Sequence, residues 1–142
     1  MCCGSVLARG GVTGVSASDP SVHVDLEPTP AAARAARAFL ADHLGPLDPD
    51  SAYAAALCAS ELVTNGVLHA RTQIVLGVTL GEDRLLVTVA DRAGGSPHTP
   101  PRDDERPSGR GLMLVEALAD QWGVTEERDG KTVWFTISRT GA

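Results

Sequence analysis

Ser60-Glu61-Leu62-Val63-Thr64-Asn65-Gly66-Val67-Leu68-His69-Ala70 is the stretch on which the reading of this chain turns. Glu61, Asn65 and His69 recur at every fourth position in a run that is otherwise mostly apolar. On a helical period of about 3.6 residues this lays an acid, an amide and an imidazole along one stripe. A helix bound for a core puts Leu and Val on such a stripe. Three polar groups there are either the solvated face of an amphipathic helix or the floor of a site. The neighbours are Leu, Val and Gly rather than Lys and Glu, which sets the stripe amid buried residues. A carboxylate with an amide oxygen is a hard-ligand pair suited to Mg²⁺, which keeps several waters and takes few protein ligands. The carboxylate can instead serve as a general base toward a water or hydroxyl. Gly66 costs the helix about 1 kcal/mol relative to Ala, and its missing side chain admits a strand or ligand closely. His69 has no Cys, His or carboxylate at ligand spacing, so it is expected in the core or behind the site rather than on a metal.

Upstream, the same helix opens at Asp48-Pro49, with Asp48 as N-cap and Pro49 at the first position, and closes near Arg71. Before it, an Ala-rich helix runs from Ala31 to Leu44, with Arg34 and Arg37 outward and Phe39, Leu40 and Leu44 as apolar anchors. Gly45-Pro46 stops that helix. Ser21–Leu26 alternates polar and apolar, the period of a half-buried strand, and Pro28 and Pro30 end it. Residues 1–20 have no sustained period and read as a flexible leader, leaving 21–142 as one domain.

Downstream, Gln73–Leu80 and Arg84–Ala90 form a hairpin around Gly81-Glu82-Asp83. Asp91 stands where the second strand stops. It is expected either to cap a turn or, at a pocket mouth, to accept a hydrogen bond from an exocyclic amine such as adenine's. A polar loop runs from Arg92 to about Ser108, long enough to be a lid. Gly109-Arg110-Gly111 then opens a helix with Leu112, Val115, Leu118 and Ala119 as its buried stripe. Two glycines at a helix start expose backbone N–H groups and the positive dipole end, which suits phosphate, and Arg110 adds a cation. After Trp122-Gly123, a hairpin turning at Asp129-Gly130 joins Val124–Arg128 to Lys131–Ser138. Lys131 closes the turn exposed, and the Thr132 hydroxyl is expected on the side of Asp91. Strand, helix, helix, hairpin, lid, helix, hairpin implies an α/β (α+β) two-layer sandwich: a mixed, mostly antiparallel sheet with helices on one face. The other face is left for solvent or a partner.

Composition narrows the function classes. A hydrophobic fraction of 43% and a charged fraction of 21% suit a soluble globular domain. A formal charge of −6 argues against direct binding to nucleic acid or to an anionic membrane. No apolar run approaches the roughly 20 residues of a membrane-spanning helix, and no signal peptide is legible. Cys2, Cys3 and Cys58 offer neither a disulfide framework nor a zinc spacing. A cytoplasmic location is expected.

Taken in order, Glu-x-x-x-Asn on a helix, Asp at a strand end, a lid, Gly-x-Gly-Leu and a terminal Lys-Thr strand resemble the GHKL ATPases. The motifs are Ser60–Ala70, Gly109-Arg110-Gly111-Leu112-Met113-Leu114-Val115 and Gly130-Lys131-Thr132-Val133-Trp134-Phe135. The closest likeness is to the single-domain anti-sigma regulatory factors, which are serine-protein kinases, and it covers the chain from about Val22 onward. The resemblance implies ATP and Mg²⁺ as ligands. Asn65 would coordinate the metal on the phosphates, and Glu61 would take the proton from an incoming serine hydroxyl. Asp91 would read the adenine amine with support from Thr132, beside Gly95 of the adenine box. Gly109, Arg110, Gly111 and Leu112 would close over the phosphates. It further implies a sigma factor as the sequestered partner and an anti-anti-sigma protein of the STAS fold as the phosphorylated one, with a homodimer as the assembly. The chain departs from the family pattern at Ala93, where the adenine box has its first glycine, and at Leu68, often basic in relatives. Asp103-Asp104-Glu105 places acids in the lid. Ala93 and that cluster favour a rival reading, a GHKL-fold binding module without catalysis. A third reading, the catalytic domain of a split histidine kinase, finds no phospho-accepting helical segment: His69 lies in the Asn65 helix and His23 in a strand.

Overall fold

A computed structural model describes residues 15–16, 18–92, 106–128 and 130–139, with the backbone alone for 106–111 and 127. The strand at Ser21–Leu26 (β1) forms where the period-two pattern places it. Helix α1, Ala32–His43, starts without a side-chain cap. Backbone bonds close its ends, Ala32 N–H to the Thr29 carbonyl and Leu44 N–H to the Leu40 carbonyl, and Ala36, Leu40 and Leu44 are buried. Helix α2, Pro49–His69, is capped as its sequence dictates. The backbone of Asp48 is extended, and its carboxylate accepts from the Ser51 N–H at 3.0 Å. The side-chain and backbone bonds with Ser51 hold the Asp48 carboxyl below its usual range. At the other end, Ala70 N–H and Arg71 N–H both reach the Gly66 carbonyl, and Arg71 turns the chain with φ of 57°.

Strands β2 (Ile74–Leu80), β3 (Arg84–Asp91), β4 (Gln121–Glu127) and β5 (Gly130–Ser138) complete a sheet of order β1-β2-β3-β5-β4. Among the described residues every neighbouring pair is antiparallel, so the sheet they form is not mixed. The chain leaves β3, passes through helix α3 (Arg106–Leu118), lays β4 at the sheet edge and folds back so that β5 enters between β4 and β3. That step makes β5 the neighbour of the strand ending at Asp91.

One face of the sheet packs on the helices. Ile74, Leu76, Val78, Leu85, Val87, Val89, Phe135 and Ile137 share a core with Ala36, Leu40, Ala55, Cys58, Leu62, Val63 and Val115. The two-layer α+β sandwich is thus the architecture. The opposite face is not a bare solvated one, because Leu86 and Thr136 are fully buried on it.

Two boundaries move. The last hairpin starts at Gln121 rather than Val124, so Trp122 pairs with Phe135 and Gly123 with Trp134. Gly123 is a packing site within the strand: a methyl there would fall 2.7 Å from the Trp134 indole. Helix α3 begins at Arg106, so Gly109 and Gly111 lie inside its first two turns instead of ahead of it.

Candidate functional site

The polar stripe of α2 divides. Glu61 and Asn65 are half-buried, whereas His69 is exposed at the helix C-terminus, a correction to its expected place in the core or behind the site. Ser60 is buried beside them, donating to the Ala56 carbonyl and accepting from Arg37 of α1 at 3.3 Å. One turn before Glu61, the Cys58 thiol lies against the Leu114 carbonyl of α3 at 3.9 Å. Burial, reinforced by the Glu61 carboxylate, pushes that thiol up to about 11. Glu61 therefore stands on the side of α2 that meets α3, and Asn65 follows one turn on.

Asn65 and Asp91 are connected through the packing of Gly66. A methyl at Gly66 would sit 2.9 Å from Ile74 Cδ1, so the first residue of β2 lies directly on the helix there. Ile74 is in turn the cross-strand partner of Asp91, and cross-strand partners share a face. Asp91 thus ends β3 on the helix-bearing face, at the same end of the sandwich as Asn65. The glycine admits a strand, which is one of the two uses its sequence position allowed.

The backbone at Asp91 is held from two sides. The next residue, Arg92, donates its N–H to the Thr72 hydroxyl at 3.0 Å. On the other side, Gly130 sits so close that a methyl on it would fall 2.1 Å from the Asp91 carbonyl oxygen. Thr72 was invisible as a site residue in the sequence, where it is one more residue of a short connector. Only the approach of the two strand ends gives it a partner.

Thr132 is not brought to this face. It pairs with Ala90 and is 1% exposed, whereas Asp91 lies one residue further along. Because successive residues of a strand point to opposite faces, Thr132 belongs to the far side of the sheet. Leu112 is half-buried and packs against the core from α3. Gly95 and Ala93 lie outside the described residues, as do Asp103, Asp104 and Glu105. For Gly109, Arg110 and Gly111 only the helical backbone is described.

The donor set fits a Mg-nucleotide. A carboxylate and an amide one turn apart are oxygen ligands and acceptors of the kind such a group needs, and a second carboxylate stands across the layer. Among the described residues no three His, Cys, Asp or Glu cluster around a metal position. None of the described helices is long and apolar enough to cross a membrane.

The model of the histidine kinase-like ATPase domain matches residues 26–137, and the chain belongs to that family, within the GHKL superfamily. Among solved structures, the chain is similar to the histidine kinase domain of a blue-light-activated histidine kinase from Erythrobacter litoralis. Identity is 24% over 64% of this chain and 46% of that one, with a TM-score of 0.47. The chain thus spans less than half of that structure's length. Family membership implies ATP binding.

Proposed function

We propose that this protein is an anti-sigma factor with ATP-dependent protein-serine kinase activity, binding a sigma factor and phosphorylating a STAS-fold antagonist on serine. What supports the site assignment is the contact of Gly66, the residue after Asn65, with Ile74, the cross-strand partner of Asp91, at one end of the sandwich. What supports the anti-sigma assignment is the motif likeness of Ser60–Ala70 and Gly130–Phe135.

Phosphoryl transfer relies on positioning and charge neutralisation more than on covalent chemistry by the protein. Bound Mg-ATP supplies the transferable phosphoryl group. Asn65 would hold the metal through its amide oxygen, Asp91 would accept a hydrogen bond from the base amine, and Glu61 would take the proton of the incoming serine hydroxyl, with ADP as the leaving group. Glu61 is half-buried, which supports its assignment to the site over a place among solvated charges.

Two measurements test this reading. Glu61→Ala is expected to lower phosphotransfer to a STAS-fold acceptor by about 100-fold or more while leaving ATP affinity within a few-fold. Asn65→Ala is expected to weaken Mg-ATP binding as well, read by calorimetry. Unchanged transfer in the Glu61 variant overturns the base assignment. If the wild-type chain binds no ATP at millimolar concentration, the non-catalytic module favoured by Ala93 and the acidic lid takes its place. An acid-labile phosphoprotein product would point to histidine instead of serine.

A further inference from the structure

We propose that Lys131, rather than Thr132, is the β5 residue that meets the nucleotide base beside Asp91, so that the base edge is read by an acceptor and a cationic donor together. The inference rests on the nucleotide reading of the site and deepens it.

The register carries the argument. β3 and β5 pair Val89 with Val133 and Ala90 with Thr132. One step further brings Asp91 opposite Lys131, on the face shared by Val89, Val133 and the helices. Gly130 secures that step. With φ of 146° and no side chain, it lies against the Asp91 carbonyl and the Arg92 Cα, where a methyl would come within 2.1 and 2.9 Å. β5 cannot slide relative to the end of β3 without breaking this contact, so the positions of Asp91 and Lys131 are set together. Lys131 is exposed, while Thr132 is buried on the other face.

The row across this end of the sheet is Ile74, Asp91, Lys131, Glu126. The ordinary role for a lysine between two acids is a surface charge ladder that steadies the sheet. Two features single out the Asp91 side. Asp91 stands above Ile74 and the Asn65 turn of α2, whereas Glu126 lies on the edge strand and is exposed. The ammonium can therefore turn toward the site. A carboxylate accepts from an amino group and an ammonium donates to a ring nitrogen. Adenine offers those two adjacent to each other: the N6 amine with N1 on one side and N7 on the other. A threonine at this place would offer a neutral donor; the lysine offers a charged one, which binds more strongly when shielded from water.

The test uses the full chain, with calorimetry of ATP, 1-deaza-ATP and 7-deaza-ATP in Mg²⁺, and the melting temperature as a structural control. Lys131→Met is expected to weaken ATP binding about tenfold, the range of one charge-assisted hydrogen bond. One of the two deaza analogues is expected to bind the wild type about tenfold more weakly than ATP does, yet to bind Lys131→Met as well as ATP does. Glu126→Gln is expected to leave all affinities unchanged. If ATP binds wild type and Lys131→Met equally, or if both deaza analogues lose the same factor in the two proteins, the assignment of Lys131 is overturned while the nucleotide site stands. If the wild type binds none of the three nucleotides, the nucleotide reading falls and this inference with it.

Discussion

At the end of the sheet where β2 turns into β3, charged groups close the structure. The Arg139 guanidinium donates through Nη1 to the Gly81 carbonyl, and its backbone N–H donates to the Asp83 carbonyl at 2.7 Å. Arg84 faces Asp120 at 3.8 Å across the neighbouring elements. At the opposite end, where β3 stops at Asp91, Glu61 and Asn65 of α2 are half-buried and uncharged groups do the closing, the Thr72 hydroxyl and the Gly130 backbone. A guanidinium thus secures one end, while a threonine hydroxyl and a glycine backbone secure the other. The difference teaches that a charged residue is informative about function chiefly where the backbone around it is satisfied without it.

Substitutions at the two ends should behave differently. The largest effect is expected at the ligand end. Gly130→Ala puts a methyl into the Asp91 carbonyl in a backbone conformation that side chains avoid, and about 3 kcal/mol of stability or more should be lost in denaturant titration. ATP affinity should fall with it. A fully stable Gly130→Ala protein would mean the two strand ends are not locked together. At the other end, Arg139→Met removes the donor to a buried carbonyl. It should cost about 1–3 kcal/mol with no change in ATP affinity for the folded protein, which equilibrium unfolding and calorimetry can separate.

A smaller effect belongs to Cys58. Its folded pKa is raised from 9.0 to about 11, so the unfolded chain releases the thiol proton first. The linked stability is fully present below about pH 9 and is lost as pH rises toward about 11. Melting temperature should decline across that window, and Cys58→Ala should flatten the decline. In Glu61→Gln the window should close at a lower pH, because the carboxylate that helps raise the folded thiol is gone while the unfolded thiol is unchanged. The smallest effect is expected for Arg84→Ala. Its pairing with Asp120 is 28% and 38% exposed, and such pairs contribute under about 0.5 kcal/mol, less still in high salt. A loss above about 1 kcal/mol there would contradict the view that this end depends on Arg139.

Much of the scaffold was legible from local signals. Asp48-Pro49 announced the start of α2 because a side-chain acceptor and a residue without an N–H satisfy the first turn by themselves. The period-two runs at Ser21–Leu26, β2 and β3 announced strands because one buried face requires that period. Glu61 and Asn65 stood out because a polar stripe inside an apolar helix has no packing explanation. The start of α3 was misplaced because two glycines look like a loop, yet helix can continue through them when neighbouring residues hold it. The last hairpin was expected only after Gly123 because nothing local reveals the indole of Trp134 on the adjoining strand.

The chain alone determined which segments are helix and strand, which face of α2 is polar and that Asp91 ends a strand, since each is a matter of periodicity and capping within a few residues. The family motifs were likewise readable in order. Only the tertiary structure decided that β5 inserts beside β3, that every described strand pair is antiparallel, and that Gly66 admits Ile74. It also decided which of two adjacent residues, Lys131 and Thr132, shares the face of Asp91. That last choice depends on a register between strands some forty residues apart, and a shift of one residue exchanges the faces. No local pattern carries that information; the contact of Gly130 with the end of β3 does.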